Sequence, residues 1–101
     1  MKRVLVLPKS MLAANMVSLI LKPIKGISIS TVQSPTELGA VDADVLIVDE
    51  RAIGDHANLI RGYDAEKIII TKGAVTIDGC AVLKRPFFPN ELKDMVVKLI
   101  G

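Results

Sequence analysis

Short unbroken apolar runs alternate along this chain with segments whose apolar residues recur at helical spacing. RVLVL (3–7), ADVLIVD (43–49) and KIIIT (67–71) are the runs. Each is too brief for a helix and rich in Leu and β-branched residues, as strands covered on both faces are. ISISTV (27–32) instead alternates at period two, which predicts a more exposed edge strand. After Pro8, Ser10 is placed to cap a helix from about residue 11 to 22, ended by Pro23 and Gly26. Asn15, Ser18 and Lys22 form its polar stripe, which Met11 shares. Leu12, Ala13, Met16, Leu19 and Ile20 form the wider opposite face, the one expected to pack.

Further along, SPTEL (34–38) supplies Ser34 as cap, Pro35 at the first helical position and Glu37 as the capping-box acid. This helix must be brief, because the next strand begins a few residues on. A weaker helix is predicted over about 55–61, stopped by Gly62. The stretch AVTIDGCAVLKRP (74–86) leaves two readings open. Asp78-Gly79 between apolar runs signals a hairpin over 75–82; alternatively it is a loop into a single strand, 81–84. The final helix is the clearest element, with Leu92, Met95, Val96, Leu99 and Ile100 on one stripe. Phe87 and Leu92 are spaced to staple its N-terminus. Strand–helix–strand repetition of this kind predicts a parallel sheet wound by right-handed crossovers. Functional groups in such sheets collect where strands end at their C-terminal edge. The residues to interrogate are therefore Pro8-Lys9, Asp49-Glu50, Thr71-Lys72 and Lys84-Arg85.

Composition narrows the function classes. The 101 residues suffice for one domain, spanning 1–101, and 50% of them are apolar, enough for a true core. Aromatic residues are scarce, so the core must be aliphatic. A net charge of +2, with the basic residues scattered, predicts no direct nucleic-acid binding. The single cysteine, Cys80, excludes an internal disulfide and fits a reducing compartment. One Cys and one His (His56, a surface position of the short second helix) provide no zinc-ligand spacing. No apolar run approaches the ~20 residues of a membrane span. A soluble, cytoplasmic protein is expected.

The stretch LKRPFFPNEL (83–92) resembles the end of the receiver domains of two-component response regulators, where a Lys-Pro-Phe corner precedes a Pro-x-Glu-Leu helix start. An apolar first strand, ADVLIVD ending on an acid and KIIIT ending on Thr follow that family's order over essentially the whole chain. The resemblance implies a flavodoxin-like, doubly wound α/β fold with five parallel strands in the order 2-1-3-4-5. In that family an Asp ending the third strand accepts a phosphoryl group from a histidine kinase, and two acids after the first strand help it hold magnesium. A Thr or Ser ending the fourth strand and a Lys before the Pro contact the phosphoryl oxygens. By position Asp49 matches the acceptor and Thr71 the hydroxyl. Arg85 stands where the lysine is expected, and Lys84 lies one residue early, on the other face of its strand. The corner of this family commonly holds its proline cis, whereas Pro86 read from sequence alone favours trans.

The acidic pair is missing: VLVLPKS offers Pro8 and Lys9. Magnesium supplies most of the positive charge in phosphoryl transfer, and Asp49 with Glu50 makes a poor octahedral site. The expectation is a degenerate receiver, not an enzyme and without a metal or other cofactor. Lys9 or Arg85 would then neutralise Asp49 in magnesium's place, with Glu50 and Lys72 as further pocket charges. The segment after Thr71 is too short for the family's fourth helix, expected short or absent. The implied partner is a protein: a histidine kinase, an output domain or another regulator, with a second copy of the chain as a further option. Lys84, Phe88 and Lys93 mark the expected contact face. Two other functions stay open. One is a working phosphoacceptor at Asp49 that uses magnesium, with Glu50 as substitute ligand. The other, more remote, is a carrier like the sugar phosphotransferase IIB proteins, which need a nucleophilic Cys where Pro8 stands.

Overall fold

The computed structural model describes residues 1–73 and 76–101. Five strands form one parallel sheet: β1 (Lys2–Leu7), β2 (Ile27–Thr31), β3 (Val45–Asp49), β4 (Glu66–Thr71) and β5 (Cys80–Lys84), in the order β2-β1-β3-β4-β5. Register runs Val6 beside Ile47, Ile47 beside Ile68 and Ile68 beside Ala81. All five residues of β3 are buried, as its unbroken apolar sequence requires of a central strand covered on both sides. Edge strand β2, which alternates, is only partly buried.

Alternation along the inner strands divides the core in two. Val4, Val6, Val45, Ile47, Ile68 and Ile70 pack on one face against helices α1 (Met11–Leu21) and α3 (Pro89–Ile100). Leu5, Leu7, Leu46, Val48 and Ile69 pack on the other, against Leu38, Ile53 and Ile60. That second face is covered by short pieces: a 3-10 segment (Pro35–Ala40) and helix α2 (Ala57–Gly62). The 3-10 segment starts as its sequence predicts, with Glu37 Oε2 accepting from Ser34 N at 3.0 Å and Gln33 N at 2.7 Å. At the start of α3, Glu91 Oε1 accepts from Phe88 N, while Phe87 and Leu92 share the first core cluster. The Arg85–Pro86 bond is cis. No helix of the described residues is long and apolar enough to cross a membrane.

One expectation is corrected and one open alternative is decided. Helix α1 buries Ala14, Val17 and Leu21, whereas Leu12, Met16 and Leu19 of the face expected to pack are exposed at 74%, 58% and 68%. With Asn15 and Ser18 its only polar residues, α1 is apolar nearly all round, so its polar stripe does not define the face that packs. Ala14, Val17 and Leu21 are the residues that fit against the sheet. The alternative decided concerns the chain after Thr71, where the loop into a single strand is the reading that holds. β5 runs parallel to β4, from Lys67 beside Cys80 to Thr71 beside Lys84, so residues 80–82 belong to one parallel strand and not to a hairpin. Asp78-Gly79 forms the turn leading into it, with Gly79 at φ 84, where a side chain would be strained. Residues 74 and 75 lie outside the described residues; among the others between Thr71 and Cys80 there is no helix.

Candidate functional site

At the C-terminal edge of the sheet β3 ends on Asp49 and Glu50 follows at once, and the two acids meet different fates. Asp49 is 6% exposed. Its Oδ1 accepts from the backbone N–H of Arg51 at 2.9 Å, the short-range turn that an Asp at a strand end readily makes. This starts a 3-10 turn over Glu50–Ala52. The Arg51 side chain then folds back, Nε donating to Oδ1 at 3.0 Å and Nη2 to Oδ2 at 2.7 Å. This is the two-pronged geometry in which guanidinium and carboxylate pair best. Burial acts to raise the Asp49 pKa, but the Arg51 side chain and backbone hydrogen bonds and the charges of Arg51 and Arg85 outweigh it. The carboxyl titrates below its ordinary value.

Glu50 turns the other way, across the sheet edge. Its Oε2 accepts from the Thr71 hydroxyl at 2.8 Å. Its Oε1 accepts from the backbone N–H of Lys72 at 2.8 Å and from Arg85 Nη2 at 2.9 Å. Those donors lower its pKa, the Lys72 N–H most, then the Thr71 hydroxyl, against the opposing effect of burial, with Arg85 adding further lowering. Thr71 is fully buried and its Oγ1 also accepts from Gly73 N at 3.2 Å. Arg85 is fixed by its own N–H, which donates to the Thr71 carbonyl at 2.8 Å.

The structure therefore brings Asp49, Glu50, Thr71, the Lys72 backbone and Arg85 together, with a different pairing from the one expected. Arg85 holds Glu50, and Lys9 is exposed and takes part in neither ion pair. Arg51 neutralises Asp49, and sequence reasoning missed it. The available signal was an Arg two residues after a strand-end Asp, where an Asp-initiated turn returns the chain onto the carboxylate. The Lys72 side chain is exposed, and only its backbone N–H serves the site. Of the residues expected at a contact face, Lys84 is exposed, Phe88 is 76% exposed and Lys93 is half-buried on α3. Cys80 is half-buried and burial raises its pKa, which suits a packing residue rather than a nucleophile.

This donor set does not fit magnesium. All four carboxylate oxygens of Asp49 and Glu50 already accept from guanidinium, hydroxyl or backbone N–H groups. Among the described residues no cluster of three or more His, Cys, Asp or Glu side chains could hold a metal ion.

A five-stranded parallel sheet in this order, with its polar groups gathered at the C-terminal edge, defines the flavodoxin-like doubly wound class. Within that class the chain has the fold of response-regulator receiver domains. It superposes on the response regulatory domain of mrkE from Klebsiella pneumoniae with a TM-score of 0.80 at 14% identity, covering 97% of this chain and 94% of that one. The REC domain of RcsB from Salmonella enterica serovar Typhimurium gives 0.81 at 18% identity, covering 99% and 88%. The beryllofluoride-activated NtrC4 receiver domain, a dimer in solution, gives 0.75 at 22% identity, covering 98% and 96%. No protein-family model and no curated protein matches the sequence.

Proposed function

We propose that this chain is a degenerate receiver: a non-enzymatic signalling module of the cytoplasm that works through protein contacts, without magnesium and without phosphorylation of Asp49. One observation carries the reading. The Thr71 hydroxyl and the cationic side chain before the corner proline are the groups that the receiver resemblance assigns to phosphoryl oxygens, and both donate to the Glu50 carboxylate. An internal anion thus stands in for the added phosphoryl group and holds the ends of β3, β4 and β5 in one fixed arrangement. Asp49 has both oxygens engaged by Arg51, so attack on an incoming phosphorus would compete with that ion pair.

The partner is a protein, a kinase, an output domain or another regulator, contacted through the end of β5 and the start of α3. Lys84 and the exposed Phe88 lie there, with Lys93 one turn further on. A second copy of the chain is an alternative occupant of that face. The chemical half of the reading is tested by incubating the protein with acetyl phosphate and magnesium and measuring its mass. The expected result is an unmodified chain. A stoichiometric gain of about 80 Da, one phosphoryl group, that disappears in Asp49→Asn would overturn the reading in favour of a working phosphoacceptor.

A further inference from the structure

Beside the two ion pairs a cavity of about 150 Å³, open to solvent on one side, lies between the sheet, α1 and the corner before α3. A space of this volume lined by aliphatic and aromatic side chains is large enough for a benzene-sized molecule. The walls here are of that kind, Val17, Ile47, Ile70 and Phe87 among them. The charged part of the lining comes entirely from the sheet's C-terminal edge: Asp49, Arg51 and Arg85. Each guanidinium there is paired, Arg51 with Asp49 and Arg85 with Glu50, so the charges of that end balance and what it offers a ligand is N–H donors. Donors remain to spare. Arg51 engages Asp49 through Nε and Nη2, which leaves Nη1 for another acceptor. Arg85 Nε is buried with no hydrogen-bond partner among the described residues. Buried donors without acceptors are few in native proteins, and this one holds the Arg85 side chain beside the pocket without facing into it.

We infer that this cavity is a binding site for a small organic monoanion, a carboxylate on a compact aromatic or branched aliphatic body, with the body among Val17, Ile70 and Phe87 and the carboxylate at Arg51 and Arg85. The class follows from volume and donors together: the space takes a body of about a single ring, and a polar end that offers N–H donors disfavours amines. A module whose acceptor corner is closed would in this way take its input from a metabolite-sized acid. The inference rests on the cavity, not on the state of Asp49. A phosphoryl adduct would defeat the function proposed above and leave this site standing.

The test is a titration of the ¹⁵N-labelled chain followed by amide chemical shifts, using sodium benzoate, benzyl alcohol and benzylammonium as probes of one shape and different charge. Benzoate is expected to give saturable shifts at Val17, Ile70 and Phe87, with benzyl alcohol about tenfold weaker, the scale of losing a charge-assisted hydrogen bond, and benzylammonium weaker still. Arg51→Gln should bring benzoate down to the level of the alcohol. Ala13→Leu, which places a larger side chain on the cavity lining, should abolish all three responses. Absence of saturation with benzoate overturns the site, as do shifts confined to the exposed Leu12 and Leu19 of α1. Equal affinity for alcohol and acid overturns the assignment of an anion. The comparison of probes on the unaltered protein decides the matter even where a variant fails to fold.

Discussion

Asp49 and Glu50 are neighbours in sequence and opposites in what they do. Asp49 is held by a residue two positions away, so its hydrogen bonds tie the chain only to itself. Glu50 accepts from groups 21, 22 and 35 residues distant and joins β3 to β4 and to the corner after β5. A local pair can silence a chemical group without affecting how the strands are held together, whereas a long-range clamp organises the strand ends and leaves its own carboxylate no freedom. The site is thus divided between a locally paired acid and a long-range anion, and each half can be disturbed separately.

The largest effect is expected from the strand on which both halves depend. Ile47 is 1% exposed at the centre of β3. Ile47→Ala removes buried methyls and should cost about 2–5 kcal/mol in urea unfolding, cavity included, loosening both acids together. Next comes Glu50→Ala, which leaves the Thr71 hydroxyl, the Lys72 N–H and Arg85 without their common acceptor. Hydrogen exchange at Lys72 should accelerate about tenfold or more as the end of β4 opens locally, while amides at the far end of the sheet keep their rates. The same exchange measured in Asp49→Asn should be nearly unchanged. If both variants released Lys72 equally, the division between silencing and clamping would be wrong.

Smaller, but diagnostic, is the dependence on pH and salt. Both carboxyls titrate lower in the folded protein than in the unfolded chain. Each therefore contributes stability that is fully present above the ordinary carboxylate range of about pH 4. That contribution is lost as pH falls from there through the lower folded-state values. Acid should destabilise the parent chain more steeply than either Asp49→Asn or Glu50→Gln. Salt should separate the two acids. Arg51 is 39% exposed, so its charge on Asp49 is screened, whereas Glu50 owes its lowered value first to a backbone N–H. In 1 M salt the acid sensitivity removed by Asp49→Asn should shrink, and that removed by Glu50→Gln should persist.

The sheet was legible in the sequence because buried parallel strands must be continuous apolar runs, and those of β1, β3 and β4 permit no other reading. Asp49, Thr71 and Arg85 were legible as positions because strand ends and the proline corner fix where backbone goes. Their pairing was not. Which cation reaches which acid depends on side-chain directions across three strand ends, and Lys9 looks as eligible as Arg51 until the turn at Glu50–Ala52 folds Arg51 back. The packing face of α1 was hidden for another reason. A helix that is apolar on nearly every side carries no periodic signal of which side is buried, so Val17 and Leu12 were indistinguishable before the sheet was in place.

The smallest expected effect isolates the silencing half. Arg51→Ala should alter unfolding little, because it removes a partly exposed side chain whose contacts are local. Its consequence falls on Asp49. Burial, which raises the pKa, is then opposed by the backbone N–H of residue 51 and the charge of Arg85, without the guanidinium fork. The Asp49 carboxyl resonance, followed by ¹³C chemical shift against pH, should move to a higher midpoint than in the parent chain. Arg51→Lys should recover the charge but not the fork, and so only part of the difference. Glu50, held by Lys72, Thr71 and Arg85, should keep its midpoint in both variants. A fixed Asp49 midpoint in Arg51→Ala would mean that some other group holds the acceptor position, and Lys9, the next cation along the same sheet edge, would be the residue to mutate.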